Sequence, residues 1–174
     1  KVDPDQVRNE VDITYVVEAK SSDQIQSQGG WGAGRVVGQV GLTFNNFSTR
    51  NLFKKDRWLP LPSGDGQRLT ISASSTGINY QNYNISFTEP WLGGKKPRSF
   101  QTSLFKSIST YGEGENRSAT NITGIVVGIG TRLQFPDDWF TLYNGINMQQ
   151  YELINSQSFF TFTDGFSNNI SYNI

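Results

Sequence analysis

A chain of 174 residues is long enough for one domain with a sizeable core, and its 15 basic and 15 acidic residues cancel to no net charge. With no His and no Cys, the usual general base, the commonest metal ligand, thiolate metal sites and disulfide scaffolds are excluded, which leaves at most a carboxylate-only hydrolase. The neutral balance also argues against nucleic acid as a partner, because such binders carry a basic patch.

A mean hydropathy of -0.48, with no apolar run near the ~18 residues of a membrane helix, reads as a soluble chain. That inference is unsafe for β-barrels. Their strands alternate lipid-facing and lumen-facing residues, so the average is polar even when one face lies in lipid. Aromatics at 13% and 18 Gly fit that alternative.

In chain order, the sequence starts at Lys1-Val2-Asp3 without a signal peptide, which reads as a processed or excised segment. Val11, Ile13, Tyr15 and Val17 alternate with Asp12, Thr14 and Glu18, the pattern of a half-buried strand whose sheet partners are expected upstream. Residues 21–34 are Gly- and Gln-rich, with Ile25 and Trp31 as their large apolar residues: a weak strand or an irregular link. Val36, Val40, Leu42 and Phe44 then oppose Gln39, Thr43 and Asn45. A long connection over 46–66 carries two Pro and the cations Lys54, Lys55 and Arg57. A hairpin follows, with Leu69, Ile71 and Ala73 on one arm and Tyr83, Ile85 and Phe87 on the other. Pro90, which cannot donate to a ladder, ends its second arm.

A third hairpin starts at 100–111, with a polar loop at 112–121. Its return strand sets Ile125, Val127, Ile129 and Leu133 against Gly124, Gly128 and Gly130. After a turn at Phe135-Pro136-Asp137-Asp138, residues 139–154 resume the alternation, and 168–174 form a last strand. The expectation is an all-β fold of about eight strands, with runs of about the 9–11 residues that a tilted membrane strand needs. Charges sit near strand ends. Lys106 is the misfit: its register points it at lipid, which requires a bulge or a snorkelling amine. Trp91, Trp139 and Tyr151 crowd strand ends, as an interfacial anchor girdle requires. Pattern alone leaves open a soluble β-sandwich that binds carbohydrate through exposed Trp.

Further segments carry a resemblance. Val11-Asp12-Ile13-Thr14-Tyr15-Val16-Val17-Glu18 is similar to the closing strand of a periplasmic POTRA (polypeptide-transport-associated) domain. Gly41-Leu42-Thr43-Phe44-Asn45-Asn46-Phe47 with Arg50-Asn51-Leu52-Phe53 resembles a second barrel strand and its turn. Asn84-Ile85-Ser86-Phe87-Thr88-Glu89-Pro90-Trp91-Leu92 resembles the fourth strand and its turn. Together they resemble the BamA-type barrels of the outer-membrane assembly family, most specifically in the Glu-Pro-Trp turn.

The resemblance implies a transmembrane antiparallel β-barrel, with residues 1–21 ending a POTRA domain and 22–174 forming the N-terminal half of the barrel. Family barrels have about 16 strands. The chain carries neither the Arg-Gly-Phe lid motif nor an aromatic closing strand, so it is expected to be part of a longer protein. The resemblance also puts the turns at 46–66, 91–97 and 136–138 in the periplasm of a Gram-negative cell envelope. The loops at 29–34, 76–81, 112–121 and 155–168 then lie outside.

The resemblance further implies that 23–32 is the first barrel strand, weakly paired in a lateral seam. A client strand would add to it at Asp23, Gln24, Ile25, Gln26, Ser27, Gln28, Gly29 and Gly30 by β-augmentation. The plainer reading of that segment is a linker. The implied partners are unfolded outer-membrane client proteins, accessory lipoproteins or other subunits, and outer-membrane lipid. No catalytic residue, cofactor or metal is expected, and a polypeptide-exporting transporter of the same superfamily stays open. Lys54, Lys55 and Arg57, like Lys95, Lys96 and Arg98, read as solvated turns or as contacts for acidic headgroups or a subunit. Asp137, Asp138 and Asp164 lack EF-hand-like ligand spacing.

Overall fold

The computed structural model describes residues 2–5, 10–13, 15–16, 22–32, 35–58, 60–77, 79–94, 98–112, 117–135, 137, 139–155 and 164–174. Among these residues there are ten strands, one 3-10 turn at Lys55–Arg57 and no α-helix. β1 (Val2–Asp5) pairs antiparallel with β2 (Glu10–Ile13) in a small sheet of its own. The strand expected at 11–17 therefore finds a partner within this chain, where the sequence pattern had placed it upstream. Two alternating positions in Val2–Asp5, one of them next to Pro4, are too few to give a period-2 signal.

The remaining strands are β3 (Gln24–Gly32), β4 (Arg35–Phe47), β5 (Gln67–Thr76), β6 (Tyr80–Glu89), β7 (Arg98–Tyr111), β8 (Ser118–Arg132), β9 (Thr141–Ile154) and β10 (Gly165–Asn173). Each pairs antiparallel with its sequence neighbours, in one eight-stranded up-and-down meander with β3 and β10 at the edges. The strands reach further than the sequence pattern indicated. Gly29–Gly32 belong to β3, Thr76 to β5, Tyr80 and Gln81 to β6, Ser118–Asn121 to β8 and Gly165–Asn168 to β10, so all four of the expected outer loops are shorter. Local chemistry sets the ends: after Glu89, Pro90 breaks the ladder, and Gly93 and Gly94 take the positive φ values of 80° and 71° that the β6–β7 turn requires.

The register puts the two kinds of side chain on opposite faces. Ile25, Leu42, Ile71, Ile85, Leu104, Ile125, Met148 and Ile170 are paired one to the next across all eight strands. This unbroken aliphatic row stands on the outward face. The opposite face carries Gln24, Thr43, Thr70, Ser86, Ser103, Val126, Asn147 and Ser171 in an equally continuous row. On that face Asn84 Nδ2 donates to Ser103 Oγ at 2.8 Å.

The apolar row is exposed, with no second layer over it. Among the described residues, Phe47 and Leu153 are the large apolar side chains that count as buried. A soluble sandwich would bury its inward row between two sheets. One sheet with a bare aliphatic face overturns the carbohydrate-binding sandwich, and a lipid-facing surface is what remains.

The apolar band also drifts across the register. In β4–β6 it covers the midline row, the row above (Val40, Ala73, Tyr83) and the row below (Phe44, Leu69, Phe87). In β7–β10 the row above is Lys106, Thr123, Gln150 and Asn168, while apolar residues continue below at Val127, Ile129, Ile146 and Leu142. Strands about 4.8 Å apart and tilted by about 35–45° carry a line of paired residues across the membrane by about 3 Å per strand. A flat hydrocarbon slab must then slip by roughly one residue per strand, which is the drift seen. Lys106 needs no bulge, since at β7 its row has already left the band, and its pairing with Tyr83 and Thr123 is regular.

The polar face is floored by glycine where aromatics lie flat. A Cβ on Gly128 would run into the Tyr143 hydroxyl, and one on Gly124 would stand 2.5 Å from the Phe105 ring. Small residues under large rings let one face of a curved sheet close up without clash.

Candidate functional site

The edge strand β3 is paired to β4 alone, in an uninterrupted register from Gln24↔Thr43 to Gly32↔Arg35. In an antiparallel pair, alternate residues turn their N–H and C=O groups away from the partner, so β3 presents a row of free backbone donors and acceptors. Ile25, Ser27, Gly29 and Trp31 share the outward face, whereas Gln24, Gln26, Gln28 and Gly30 share the polar one. All described side chains from Ser22 to Trp31 are exposed. The structure thus gathers the residues named from sequence, Asp23 to Gly30, into one edge, and makes the segment a strand where the linker reading had none.

Two features give this edge a polarity along its length. Its beginning is pinned: Asn45 donates its backbone N–H to Asp23 Oδ1 at 3.1 Å and its side-chain amide to the Ser22 carbonyl at 2.5 Å. Arg68 Nε in turn donates to Asn45 Oδ1 at 3.0 Å, extending the tie to β5. Its far end stays paired to β4 but carries glycines with open space around them. A Cβ on Gly29 would meet only the Val37 carbonyl at 3.9 Å, and one on Gly30 only a Val37 methyl at 3.6 Å. Neither glycine has positive φ. Unlike Gly124 and Gly128, these two are demanded by neither backbone nor packing, and they weaken the strand.

The aromatic positions separate into two groups. Trp91, 58% exposed, and Trp139, 86% exposed, stand in the turns after β6 and β8, at one end of the sheet. Each backbone N–H is held by a carboxylate two residues back, Trp91 by Glu89 Oε1 at 3.0 Å and Trp139 by Asp137 Oδ1 at 2.9 Å. Tyr151 is placed differently from the sequence reading. It pairs with Ile122 on the polar face, half-buried, and its hydroxyl donates to Gln149 Oε1 at 2.6 Å. Its nearness to a strand end suggested a girdle residue, but the parity of β9 turns it inward. Of the flanking cations, Lys95 and Lys96 lie outside the described residues, as do Pro136, Asp138 and the 156–163 part of the last loop.

Among the described residues no helix is long and apolar enough to cross a membrane, which says nothing of crossing by strands. An antiparallel meander with a continuous aliphatic face, a polar opposite face and aromatics at the turns defines an outer-membrane β-barrel protein. The profile of the Omp85 superfamily domain matches residues 63–170, most of the chain from the start of β5 to the middle of β10, and the chain belongs to that superfamily. Its members are bacterial outer-membrane proteins that act in assembly and transport. No curated protein and no solved structure matches the chain significantly.

Proposed function

We propose that the chain is the barrel-forming part of an outer-membrane assembly factor of the BamA type, which folds and inserts client barrel proteins through a lateral seam. In this reading residues 1–21 end a periplasmic POTRA domain and 22–174 form the first half of the barrel. The single observation that carries it is β3: an edge strand pinned at Asp23 and built with Gly29 and Gly30 where packing does not require glycine. In a bilayer a bare edge has no water to satisfy it, so β3 needs a backbone partner. A strand held weakly on that side can exchange its partner for a client's terminal strand by backbone hydrogen bonding.

The partners are then unfolded outer-membrane clients, accessory lipoproteins or other subunits, and outer-membrane lipid. Trp91 and Trp139 anchor the periplasmic rim in the membrane interface. No bond is made or broken, so the work needs no catalytic residue, cofactor or metal.

Photo-crosslinking from β3 in the full-length protein tests the assignment. Probes replacing Ile25 and Ser27, on the outward side of the edge, should capture the terminal strand of a client during its insertion. Capture of a passenger polypeptide only from Gln26 and Gln28, on the polar face, would instead mark a secretion transporter.

A further inference from the structure

The loop between β4 and β5 is folded, and it lies over the outward face. Gln67 shares that face with Leu69, Ile71 and Ala73, yet it is 4% exposed while Ile71 and Ala73 are open. What covers it is the loop. Gln67 Oε1 accepts the Thr49 backbone N–H at 2.8 Å, and its Nε2 donates to Thr49 Oγ1 at 3.1 Å and to Glu89 Oε2 at 2.6 Å. Above this contact the Phe47 ring meets Phe87 edge-on at 6.2 Å, at the lower margin of the apolar band.

The loop holds its shape by its own bonds. The fully buried Ser48 donates its hydroxyl to Asp65 Oδ2 at 2.6 Å and its N–H to the Pro62 carbonyl at 2.9 Å. Asn51 Nδ2 donates to the Ser63 carbonyl at 2.9 Å, and Trp58 Nε1 to the Leu52 carbonyl at 3.3 Å.

Order of this kind normally serves burial, but it leaves the Phe53 side chain in the open. Phe53 is 95% exposed, and Leu52 and Trp58 are 39% and 43% exposed. Around them residues 48–66 carry four cations, Arg50, Lys54, Lys55 and Arg57, against two carboxylates, Asp56 and Asp65. A large apolar side chain held in water by a rigid loop and ringed by cations suits the headgroup layer of a membrane. The loop's position selects that occupant, because it is continuous with the lipid-facing band and on its outer side.

We propose that residues 48–66 form a clasp that laps over the outward rim of the sheet and docks on anionic phospholipid. It seats Leu52, Phe53 and Trp58 in the interface, with Lys54 and Lys55 against headgroup phosphates. This rests on the lipid-facing reading of the apolar row, and not on the assembly activity.

These 174 residues hold no Cys, so single cysteines placed here can be spin-labelled in the full-length protein, with any Cys elsewhere replaced, in phosphatidylglycerol vesicles. Labels at Phe53→Cys, Leu104→Cys on the midline and Arg117→Cys in an outer loop are compared for access to oxygen and to a water-soluble nickel chelate. The label at 53 should fall between the other two, with more oxygen and less nickel access than at 117 and the reverse against 104. Nickel access equal to that at 117 overturns the proposal, as does exclusion of both reagents, which would mean a protein cover. A nickel-accessible label at 104 overturns the lipid-facing reading itself, and the clasp with it. Oxygen preference at 53 should also fall at least about threefold in phosphatidylcholine, and Lys54→Glu/Lys55→Glu should remove that lipid dependence. Equal preference in the two lipids with both lysines intact overturns the phosphate contact.

Discussion

Gln67 Nε2 donates to Glu89 Oε2 at 2.6 Å, and this bond joins two neighbouring turns at one end of the sheet. Glu89 also accepts the N–H of Trp91 through its other oxygen, and Gln67 also holds Thr49. One carboxylate therefore ties the β4–β5 loop, the start of β5 and the Glu-Pro-Trp turn into a single rim. Removing it by Glu89→Ala leaves the buried Gln67 amide without its closest acceptor. The expected loss is about 1–3 kcal/mol, read as a lower midpoint for unfolding in detergent. Glu89→Gln, whose amide oxygen still accepts, should lose less, and an equal loss in both variants would show that the bond itself is not what matters.

Gly128 and Tyr143 form a second test. The Tyr143 hydroxyl occupies the space of a Cβ on Gly128. Gly128→Ala should therefore destabilise the sheet by about 1–3 kcal/mol in urea unfolding from vesicles. Truncating the ring as well, in Gly128→Ala/Tyr143→Ala, should cost less than the sum of the two single changes, because the clash is then gone. Simple additivity would mean that the ring does not press on this glycine.

The glycines of β3 should behave in the opposite sense. Gly29→Val and Gly30→Val have space for their side chains, and β-branched residues favour extended strands, so pairing with β4 should strengthen by up to about 1 kcal/mol. The proposed seam then opens less readily. Client insertion by the full-length protein in vesicles should slow while the thermal midpoint holds or rises. A gain in stability with unchanged insertion would detach these glycines from function.

Depth in the membrane predicts a contrast between neighbouring rows. Leu104→Arg puts a guanidinium on the midline and should cost about 2–4 kcal/mol of folding into vesicles. Thr123→Arg, one row higher and beside Lys106 outside the apolar band, should cost only about 0–1 kcal/mol. Equal costs would contradict the tilt inferred from the drifting band.

The pin at Asn45 makes a last prediction. Asn45→Ala removes the amide that reaches the Ser22 carbonyl and the acceptor for Arg68 Nε, while leaving its own backbone N–H for Asp23. The loss should be local, on the order of 1 kcal/mol, and visible as faster amide hydrogen exchange confined to the first half of β3. Exchange that rises across the whole sheet would place Asn45 in the global fold instead.

The period-2 alternation of Leu69–Ala73, Tyr83–Phe87 and Ile125–Ile129 determined those strands and the face that each of their residues takes. A strand's side-chain direction is a local property, so sequence order alone carries it. The same rule puts Leu104, in register with Phe100 and Lys106, on the outward face. Where local signal is weak the sequence fell silent. Four residues at Val2–Asp5 show no usable period, and the glycines of β3 read as a link because a Gly-rich strand exists only by virtue of β4 beside it.

Tertiary structure alone decided the register. It set Ile25 against Leu42 and, through six more pairings, Ile170 in one row; it turned Tyr151 inward; and it revealed that Lys106 lies above a drifting band and not inside it. It also brought Gln67 to Glu89, 22 residues away, and folded the β4–β5 loop across the outward face. Such facts depend on how far one strand slides past the next and on where a loop returns. Those are set by contacts between distant residues, which no local periodicity encodes.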